Sequence, residues 1–440
     1  MRDSSLAKER LYRSFPLLLH PLGESSMGSS LEIVRDIFKS RNIQVITLTQ
    51  SLFMVTATLW WPYWSRYIVA LGASKVQLGM IFMLEQSSQL ILQLPGGILA
   101  DRLGRKKVIV LSSVFRALSP IIYLGFRIWY MVLPGMFLTQ VASMMNPAVN
   151  ALIAESMPTE NRAASFGFYR MMTWMPMIFT ALVGGMIVDH MGIVPGVRLC
   201  ILLTLVVSWL NVLLRWRFLE DTYVPEPTGI SMRPSLRGSI ELLRTVPSTV
   251  WTLIVVASIS SFSVRTAMGF MYIYAEEVLG VTATQWGVIT TVASVVSTFL
   301  TVPSGLLSDR IGRKPCIIVS RVLQPIMMIG FPLSTGFWGI LGFRLLGSVG
   351  EGFGGTIMGI MGGPAWQALV VDLIPSERRG RILGLMGTLV GLLSLPATWV
   401  GGYLYDYVSP ASPFYTSFGL GLAATIIFLL FVKEPEERSS

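Results

Sequence analysis

The 440-residue chain contains few charged residues and only two cysteines and two histidines. Charged residues make up 13% of it, about half of the roughly 25% that soluble globular domains use. This composition excludes an ordinary soluble enzyme. Cys200 and Cys316 lie in apolar runs without the spacing of a disulfide framework or a zinc site, and His20 and His190 are isolated. We therefore expect no metal, no cofactor and no enzymatic activity.

Long apolar runs occupy most of the chain. Hydrophobic residues make up 52% of the sequence, and the mean hydropathy is +0.63. One transmembrane helix needs about 20 apolar residues, so twelve would use about 240 and leave about 200 for loops and tails. A bilayer admits only helices or closed barrels, and the continuous runs lack the alternation of a barrel. The sequence predicts an all-α membrane protein.

Twelve apolar runs separated by short polar breaks define predicted spans 1 to 12. They are Val45–Val69, Gln77–Ala100, Val108–Phe126, Met131–Ala154, Phe166–Val188, Val194–Leu214, Val250–Tyr274, Gln285–Leu307, Cys316–Leu333, Trp338–Val371, Ile382–Tyr405 and Phe414–Phe431. The tenth run is longer than one crossing needs, so we expect its helix to begin later than Trp338. The resulting division is an N-terminal tail 1–43, six spans in 44–215, a central loop 216–248, six spans in 249–432 and a C-terminal tail 433–440.

The positive charges are distributed unevenly along this pattern. With both termini inside, the cytoplasmic segments hold 25 of the 34 lysines and arginines. The positive-inside rule therefore predicts cytoplasmic tails and a cytoplasmic central loop. The net charge of +10 is a topology signal for a multi-pass protein of the cell membrane, and nothing else in the sequence favours a nucleic-acid partner.

The chain repeats itself in two blocks. Gly72–Lys106 recurs 208 residues later as Gly280–Lys314, and the block that begins at Leu124 and ends at Asp189 recurs at an offset of 217. The second block includes Gly184-Gly185 and Asp189, which return as Gly401-Gly402 and Asp406. Parallel repeats of this kind place a site near the bilayer midplane and allow one half to rock against the other.

The repeated loop motif resembles that of the major facilitator superfamily, and the resemblance extends from Val45 to Phe431. The matching residues after span 2 are Gly97, Asp101, Arg102, Gly104, Arg105 and Lys106, and those after span 8 are Gly305, Asp309, Arg310, Gly312, Arg313 and Lys314. The resemblance implies twelve transmembrane helices in two pseudo-symmetric six-helix bundles. It also implies a secondary transporter that moves a small solute by alternating access.

The resemblance further implies a gate at the cytoplasmic end. Asp101 is expected to face the N-terminus of span 11 near Gly380 while the cavity opens outward. Gly97 and Gly305 are expected to allow close helix approach, and Gly104 and Gly312 the tight turn.

Each motif is expected to pair with an acidic residue of the same bundle. Arg102 or Arg105 is the expected partner of Glu155. In the second bundle, Arg310 or Arg313 is the expected partner of Asp372. The alternative that these charges only fix the topology stays open.

A few charged and aromatic side chains within the spans are candidates for the substrate or proton site. They are Glu85, Arg265, Glu351, Trp60 and Trp61. Charges in spans usually face a cavity or a partner, so we expect Glu351 to pair with Arg265, and Glu351 or Glu85 to carry a proton. A static salt bridge is the alternative for the charges, and the interfacial aromatic belt is the alternative for the tryptophans.

Three further arginines within spans are expected to have structural roles. Arg116 and Arg321 are predicted to snorkel or support packing, and Arg344 to anchor a helix end. The functional expectation is a monomeric, proton-coupled transporter that exports amphipathic compounds or takes up a nutrient. A proton-independent facilitator and a non-transporting sensor or scaffold on the same fold are the alternatives.

Overall fold

The computed structural model describes residues 40–143, 146–156, 162–221, 248–354, 364–374 and 379–432. Within these ranges, the side chains of residues 93–103, 162–166, 302, 306, 309, 364 and 368 lie outside the description. The predicted N-terminal tail up to residue 39, most of the central loop and the C-terminal tail therefore lie outside the described residues. The same holds for the side chains of Asp101, Arg102 and Asp309.

All regular elements in the described part of the chain are helices. The first half contains α1 Arg41–Trp60, α2 Trp64–Ala70, α3 Lys75–Leu103, α4 Arg105–Gly125, α5 Val132–Ser143, α6 Asn146–Glu155, α7 Arg162–Trp174, α8 Thr180–Met191 and α9 Ile193–Phe218. The second half contains α10 Ser248–Met268, α11 Met271–Glu277, α12 Ala283–Ile311, α13 Arg313–Leu333, α14 Phe337–Gly354, α15 Pro364–Asp372, α16 Arg379–Ser394, α17 Ala397–Tyr407 and α18 Ser412–Phe431.

These helices form twelve spans, because α1–α2, α5–α6, α7–α8, α10–α11, α14–α15 and α16–α17 each make up one crossing. In the described part of the chain, nine of these spans are long and apolar enough to cross a membrane, when each pair of helices in one crossing is counted as a single segment. Spans 4 and 10 contain residues outside the description, and spans 2, 5 and 8 contain residues whose side chains lie outside it. The expected late start of span 10 is wrong, because α14 begins at Phe337. Helix α9 contains Arg215 and ends at Phe218.

The repeated sequence before spans 2 and 8 is a pair of capping boxes. The Ser74 hydroxyl accepts from the backbone N–H of Gln77, whose side chain accepts from the backbone N–H of Ser74. Thr282 and Gln285 make the same reciprocal contacts at the start of α12. Each pair satisfies two backbone donors that the first helical turn leaves free. The repeat therefore fixes where spans 2 and 8 begin.

Within the described residues, the hydrophobic core that the two bundles share lies at one end of the molecule. This end holds the turns between spans 1 and 2 and between spans 7 and 8, and we call it the outer end, after the predicted topology. One buried cluster there combines Tyr63 and Tyr67 of the first bundle with Tyr272 and Trp286 of the second. At the inner end, one cluster belongs to the first bundle and a separate one to the second. The described cores therefore join the bundles at the outer end.

Candidate gates and transport site

Two carboxylates cap helix N-termini across the bundle interface at the outer end. Asp189, near the end of α8, accepts from the backbone N–H groups of Ala283 at 2.9 Å and Thr284 at 2.8 Å, at the start of α12. Asp406, near the end of α17, accepts from the N–H of Val76 at 2.9 Å, at the start of α3. The partial positive charge of a helix N-terminus favours a carboxylate there. Both caps hold one bundle against the other.

Glycines allow the backbones of opposite bundles to touch beside these caps. At four positions, a Cβ atom would meet backbone of the other bundle. The contacts are Gly79 with Thr398, Gly287 with Ala181, Gly185 with Ala283 and Gly402 with Lys75. They form two matched sets, because the repeat offsets relate Gly79 to Gly287 and Gly185 to Gly402. Small residues are the usual means of close helix approach in a bilayer.

Two ion pairs join the bundles at the same end. Arg66 Nε lies 2.6 Å from Glu276 Oε2, and Lys75 Nζ lies 3.3 Å from Glu277 Oε2. The Tyr405 hydroxyl donates to the same Glu277 oxygen at 3.3 Å. All four charged side chains are partly buried, which makes the pairs stronger than fully exposed ones. The outer end is therefore closed by caps, glycine contacts and ion pairs together.

No role for Asp189 or Asp406 was predicted from the sequence. The available signal was the repeat that carries Gly184-Gly185 and Asp189 into Gly401-Gly402 and Asp406. A glycine pair followed by an acidic residue at a predicted helix end is compatible with a cap on a neighbouring helix. The sequence does not indicate which helix each carboxylate caps, because that helix belongs to the opposite bundle.

At the inner end, the expected motif partners lie within each bundle. Arg105 lies against Glu155, and Arg313 lies against Asp372. Arg310 is exposed, so Arg313 is the arginine of its pair that contacts the acid. The two pairs occupy equivalent places, because both arginines begin the third span of their bundle. Their role in gating stays a prediction.

The motif glycines differ in their surroundings. Gly104 and Gly312 have φ values of +85° and +98°, which explains why the turns after spans 2 and 8 use glycine. Among the described residues, no atom lies within 4 Å of the Cβ position of Gly305, so its expected close approach to another helix stays a prediction. Gly380 is equally open. Such open space accords with inner ends that stand apart. The surroundings of Gly97 lie outside the described residues.

The lysines of the two motifs lie near the start of the third span of each bundle, at the inner end. Lys106 is partly exposed. Lys314 donates to the carbonyl oxygen of Val432 at 2.6 Å, just after the end of α18. A cation at a helix C-terminus interacts favourably with the helix dipole, so Lys314 also secures the end of span 12.

A polar cluster lies at mid-depth between the bundles. Gln140 Nε2 donates to Glu85 Oε1 at 3.0 Å, and the Arg265 guanidinium contacts Gln86 Oε1 across the interface. Arg265 Nε also donates to the Ser261 hydroxyl at 3.2 Å. Glu85 lies ten residues into α3, about 15 Å by helical rise. The structure thus brings two of the predicted site residues, Glu85 and Arg265, to adjacent positions on facing helices.

The expected pair of Glu351 and Arg265 is not formed. Glu351 Oε1 instead lies 2.9 Å from Arg344 Nη1, and the two residues are seven positions apart on α14. Seven residues are about two helical turns, so both side chains lie on one face of the helix. The prediction that Arg344 anchors a helix end is corrected by the same contact. Glu351 and Arg344 form an ion pair within one helix.

The two candidate tryptophans have different environments. Trp60 is 7% exposed, and its indole N–H donates to the Thr204 hydroxyl at 3.0 Å. This buried indole packs spans 1 and 6 together and leaves no open face for a substrate in this conformation. Trp61 is 54% exposed at the outer end of span 1, as the interfacial belt interpretation predicts.

The family assignment follows from a family model that covers the chain. The model described as "Major Facilitator Superfamily" matches residues 46–361 and 253–440. The chain belongs to the major facilitator superfamily. Its family and structural neighbours are membrane transporters, not enzymes. The chain is accordingly a multi-pass transporter of the cell membrane with the twelve-helix fold of that family.

Individual relatives agree with this assignment. The chain is 24% identical to an uncharacterized MFS-type transporter of Methanocaldococcus jannaschii, over 94% of this chain and 100% of that protein. It is 25% identical to the multidrug resistance protein MdtG of Salmonella typhi, over 78% of this chain and 83% of that protein.

Solved structures show the same fold. A mutant of the nucleoside transporter NupG has a TM-score of 0.73 at 12% identity, over 89% of this chain and 100% of that one. An inward-open structure of the xylose transporter XylE from E. coli has a TM-score of 0.65 at 17% identity, over 91% of this chain and 98% of that one.

Proposed function

We propose that this chain is a proton-coupled secondary transporter that moves a small solute across the membrane by alternating access. The distribution of the hydrophobic cores carries the proposal. One buried cluster spans both bundles at the outer end, whereas the inner ends have separate clusters. A molecule closed on one side and divided on the other is one half of an alternating cycle.

The other half of the cycle is the outward-open state. In our proposal, the caps of Asp189 and Asp406 release, and the inner ends approach until Asp101 reaches the N-terminus of α16 near Gly380. Both ends would then use the same device, a carboxylate at a helix N-terminus of the other bundle. Glu155 and Asp372 hold Arg105 and Arg313 in place within each bundle. These pairs keep the loop motifs positioned while the bundles move.

The polar cluster at mid-depth is the proposed substrate and proton site. Glu85 can take up a proton when it gives up its hydrogen bond from Gln140. Arg265 can release Gln86 and bind a polar group of the solute instead. The surrounding spans are apolar, which suits an amphipathic solute. Similarity to a protein named for multidrug resistance supports export of such compounds over uptake of a nutrient. Glu351, paired with Arg344, is the second candidate proton carrier.

The proposed topology has both tails and the central loop in the cytoplasm. The basic residues support it, because 24 of the 34 lysines and arginines then lie on the cytoplasmic side, when Arg215 is counted within span 6. In this orientation, the structure is inward-open. We propose bundle limits of 44–215 and 249–432, joined by the loop 216–248, and a monomer as the working unit.

Transport by purified protein in liposomes tests the proposal. An imposed pH gradient should collapse faster when a transported solute from a varied amphipathic panel is present. The variant E85Q should insert normally and bind the solute, but it should lose the solute-dependent proton flux. E220Q is the matched control, since Glu220 is an exposed residue that pairs with Arg41 at the inner surface. Solute movement that never consumes the gradient would contradict proton coupling, and no solute movement would contradict transport.

A further inference from the structure

Span 2 has a polar face at mid-depth. Glu85, Gln86 and Gln89 lie close together along α3, and Gln89 is exposed. The first two contact neighbouring spans, because Glu85 accepts from Gln140 of span 4 and Gln86 contacts Arg265 of span 7. An exposed carboxamide at this depth faces either lipid or a water-filled space, and lipid is unfavourable. The direction of Gln89 around the helix decides between the two.

The geometry of α3 places Gln89 between these two contacts. Successive residues of an α-helix are turned by about 100°, so Glu85 and Gln86 point in different directions, toward spans 4 and 7. Gln89 is turned by about 40° from Glu85 and by about 60° from Gln86, and it lies about one turn nearer the inner end. It therefore points between spans 4 and 7, toward the end where the hydrophobic cores of the bundles are separate.

The opposite face of the same helix is apolar. Met80, Leu84 and Ile91 are all exposed, and they lie within about 40° of one another around the helix. Ile91 comes two residues after Gln89 but points about 160° away from it. Polar residues within spans face the protein interior or a water-filled cavity, which leaves the apolar face for lipid. The two faces of span 2 therefore assign lipid to Ile91 and the space between the bundles to Gln89.

An aromatic contact closes this space on the outer side of the polar face. Phe82 lies seven residues before Gln89 on α3, or about 10 Å nearer the outer end. A Cβ atom at Gly269 of span 7 would lie 3.1 Å from the Phe82 ring, so the ring fills the gap between spans 2 and 7. In this conformation, a solute that enters from the inner end meets Gln89 before it reaches Glu85 and Arg265.

The internal repeat shows that this polar face belongs to the first bundle. At the offset of 208, the three polar residues of span 2 correspond on span 8 to Ala293, Ser294 and Ser297. The Ser297 hydroxyl donates to the carbonyl oxygen of Ser294 on its own helix at 3.4 Å. A short side chain that bonds to its own backbone reaches a solute less well than a carboxamide on a longer side chain. The polar end of a solute is therefore recognised mainly from the side of span 2.

We propose that Gln89 contacts the transported solute and selects for an uncharged hydroxyl or amide group at its polar end. The inference rests on the function proposed above and adds a recognised chemical group to it. A carboxamide carries no charge and offers both a hydrogen-bond donor and an acceptor, which matches a group that does the same. Glu85 and Arg265 lie nearer the outer end and supply the charged part of the site.

Thiol labelling tests the position of Gln89 without any transport. In a chain whose Cys200 and Cys316 are replaced by alanine, Q89C and I91C are compared in lipid nanodiscs with a charged, water-soluble methanethiosulfonate. A thiol in apolar surroundings ionises poorly and reacts slowly, so Q89C should react at least about tenfold faster than I91C. A saturating amount of the dansyl sulfonamide of ethanolamine, an amphipathic probe with one hydroxyl group, should slow the reaction of Q89C. Equal rates in the two variants, or a Q89C rate that the probe leaves unchanged, would overturn the inference.

Flux of matched probes in liposomes tests the recognised group. The dansyl sulfonamide of ethylamine lacks the hydroxyl group of the ethanolamine probe and is otherwise the same. Q89L should raise KM for the hydroxylated probe about two- to tenfold, because one hydrogen bond is lost, and should leave KM for the ethylamine probe unchanged. I91L is the matched control on the lipid face and should change neither value. An equal change for both probes in Q89L would indicate a structural role and overturn the selection.

The two measurements separate this inference from the function on which it rests. Absence of flux for every solute of the panel would contradict transport, and the inference would fall with it. Flux of the probes together with slow labelling of Q89C, or with equal KM changes for both probes in Q89L, would overturn the inference alone. Fast labelling of Q89C together with a KM change confined to the hydroxylated probe is the result expected.

Discussion

The outer and inner ends of this transporter contain similar contacts that connect different parts of the molecule. At the outer end, the carboxylates of Asp189 and Asp406 cap helices of the opposite bundle. At the inner end, the described acidic residues Glu155 and Asp372 bind arginines of their own bundle. The difference teaches that contacts within a bundle preserve its shape, and contacts between bundles decide which end is open.

The largest effect is expected from removing the close backbone contact at the outer end. In G402L, the new side chain would meet the backbone of Lys75, so the outer ends could not close. We expect transport to fall at least a hundredfold, with the protein held open toward the outside. The measurement is solute flux in liposomes together with labelling of an outer-end cysteine.

G419L is the matched control for this variant. Gly419 lies on α18, and no atom of the described structure lies within 4 Å of its Cβ position, so flux should be nearly normal. Equal loss of flux in both variants, at equal abundance, would show that the backbone contact at Gly402 is not what the cycle needs.

A smaller effect is expected from the two caps. D189N and D406N keep the hydrogen-bonding shape but remove the charge that favours a helix N-terminus. A charge-assisted hydrogen bond is worth about 1.5–3 kcal/mol, so each variant should shift the ratio of inward-open to outward-open protein by about tenfold. Distance distributions between spin labels at the outer end measure this ratio.

The repeat predicts that the two caps act alike. Asp189 and Asp406 occupy equivalent positions, so their single variants should shift the ratio in the same direction and the double variant further. A shift in D189N alone would break the symmetry. No shift in either variant would show that the glycine contacts close the outer end without them.

The smallest effect is expected from the ion pair of Arg66 and Glu276. Both side chains are partly exposed, and such pairs contribute about 0.2–1 kcal/mol. R66Q should therefore change the state ratio by at most about fivefold, and by less at high salt because screening weakens the pair. The charge swap R66E with E276R should restore the original ratio. A failure of the swap would assign the effect of R66Q to packing.

The sequence allowed the frame of the molecule to be predicted. Continuous apolar runs determine the spans, and the repeated capping residues Ser74 and Thr282 determine where two of them begin. For Glu155 and for Asp372, the sequence predicted a partner among two arginines of the nearby motif. It could not choose between the two, because they lie within about one helical turn of each other. These features depend on neighbours along the chain or on a periodicity that a helix imposes.

The remaining features depend on distant parts of the chain. Asp189 contacts a residue 94 positions away along the chain, and Asp406 contacts one 330 positions away. Neither contact can be recognised from the residues that surround the aspartate in the sequence. In the proposed cycle, the surroundings of Gly305 depend on which end of the molecule is open. The pair of Arg344 and Glu351 is different, because a spacing of about two helical turns could have been recognised in the sequence. Arg265 was instead predicted to be the partner of Glu351.

Spin-label distances at both ends test alternating access most directly. In a chain whose buried Cys200 and Cys316 are replaced by alanine, one pair of labels is placed at Met191 and Tyr407 at the outer end. A second pair is placed at Arg217 and Phe431 at the inner end. Addition of a transported solute, or a change of pH, should lengthen one distance while it shortens the other. Two distances that stay fixed, or that lengthen and shorten together, would contradict the account.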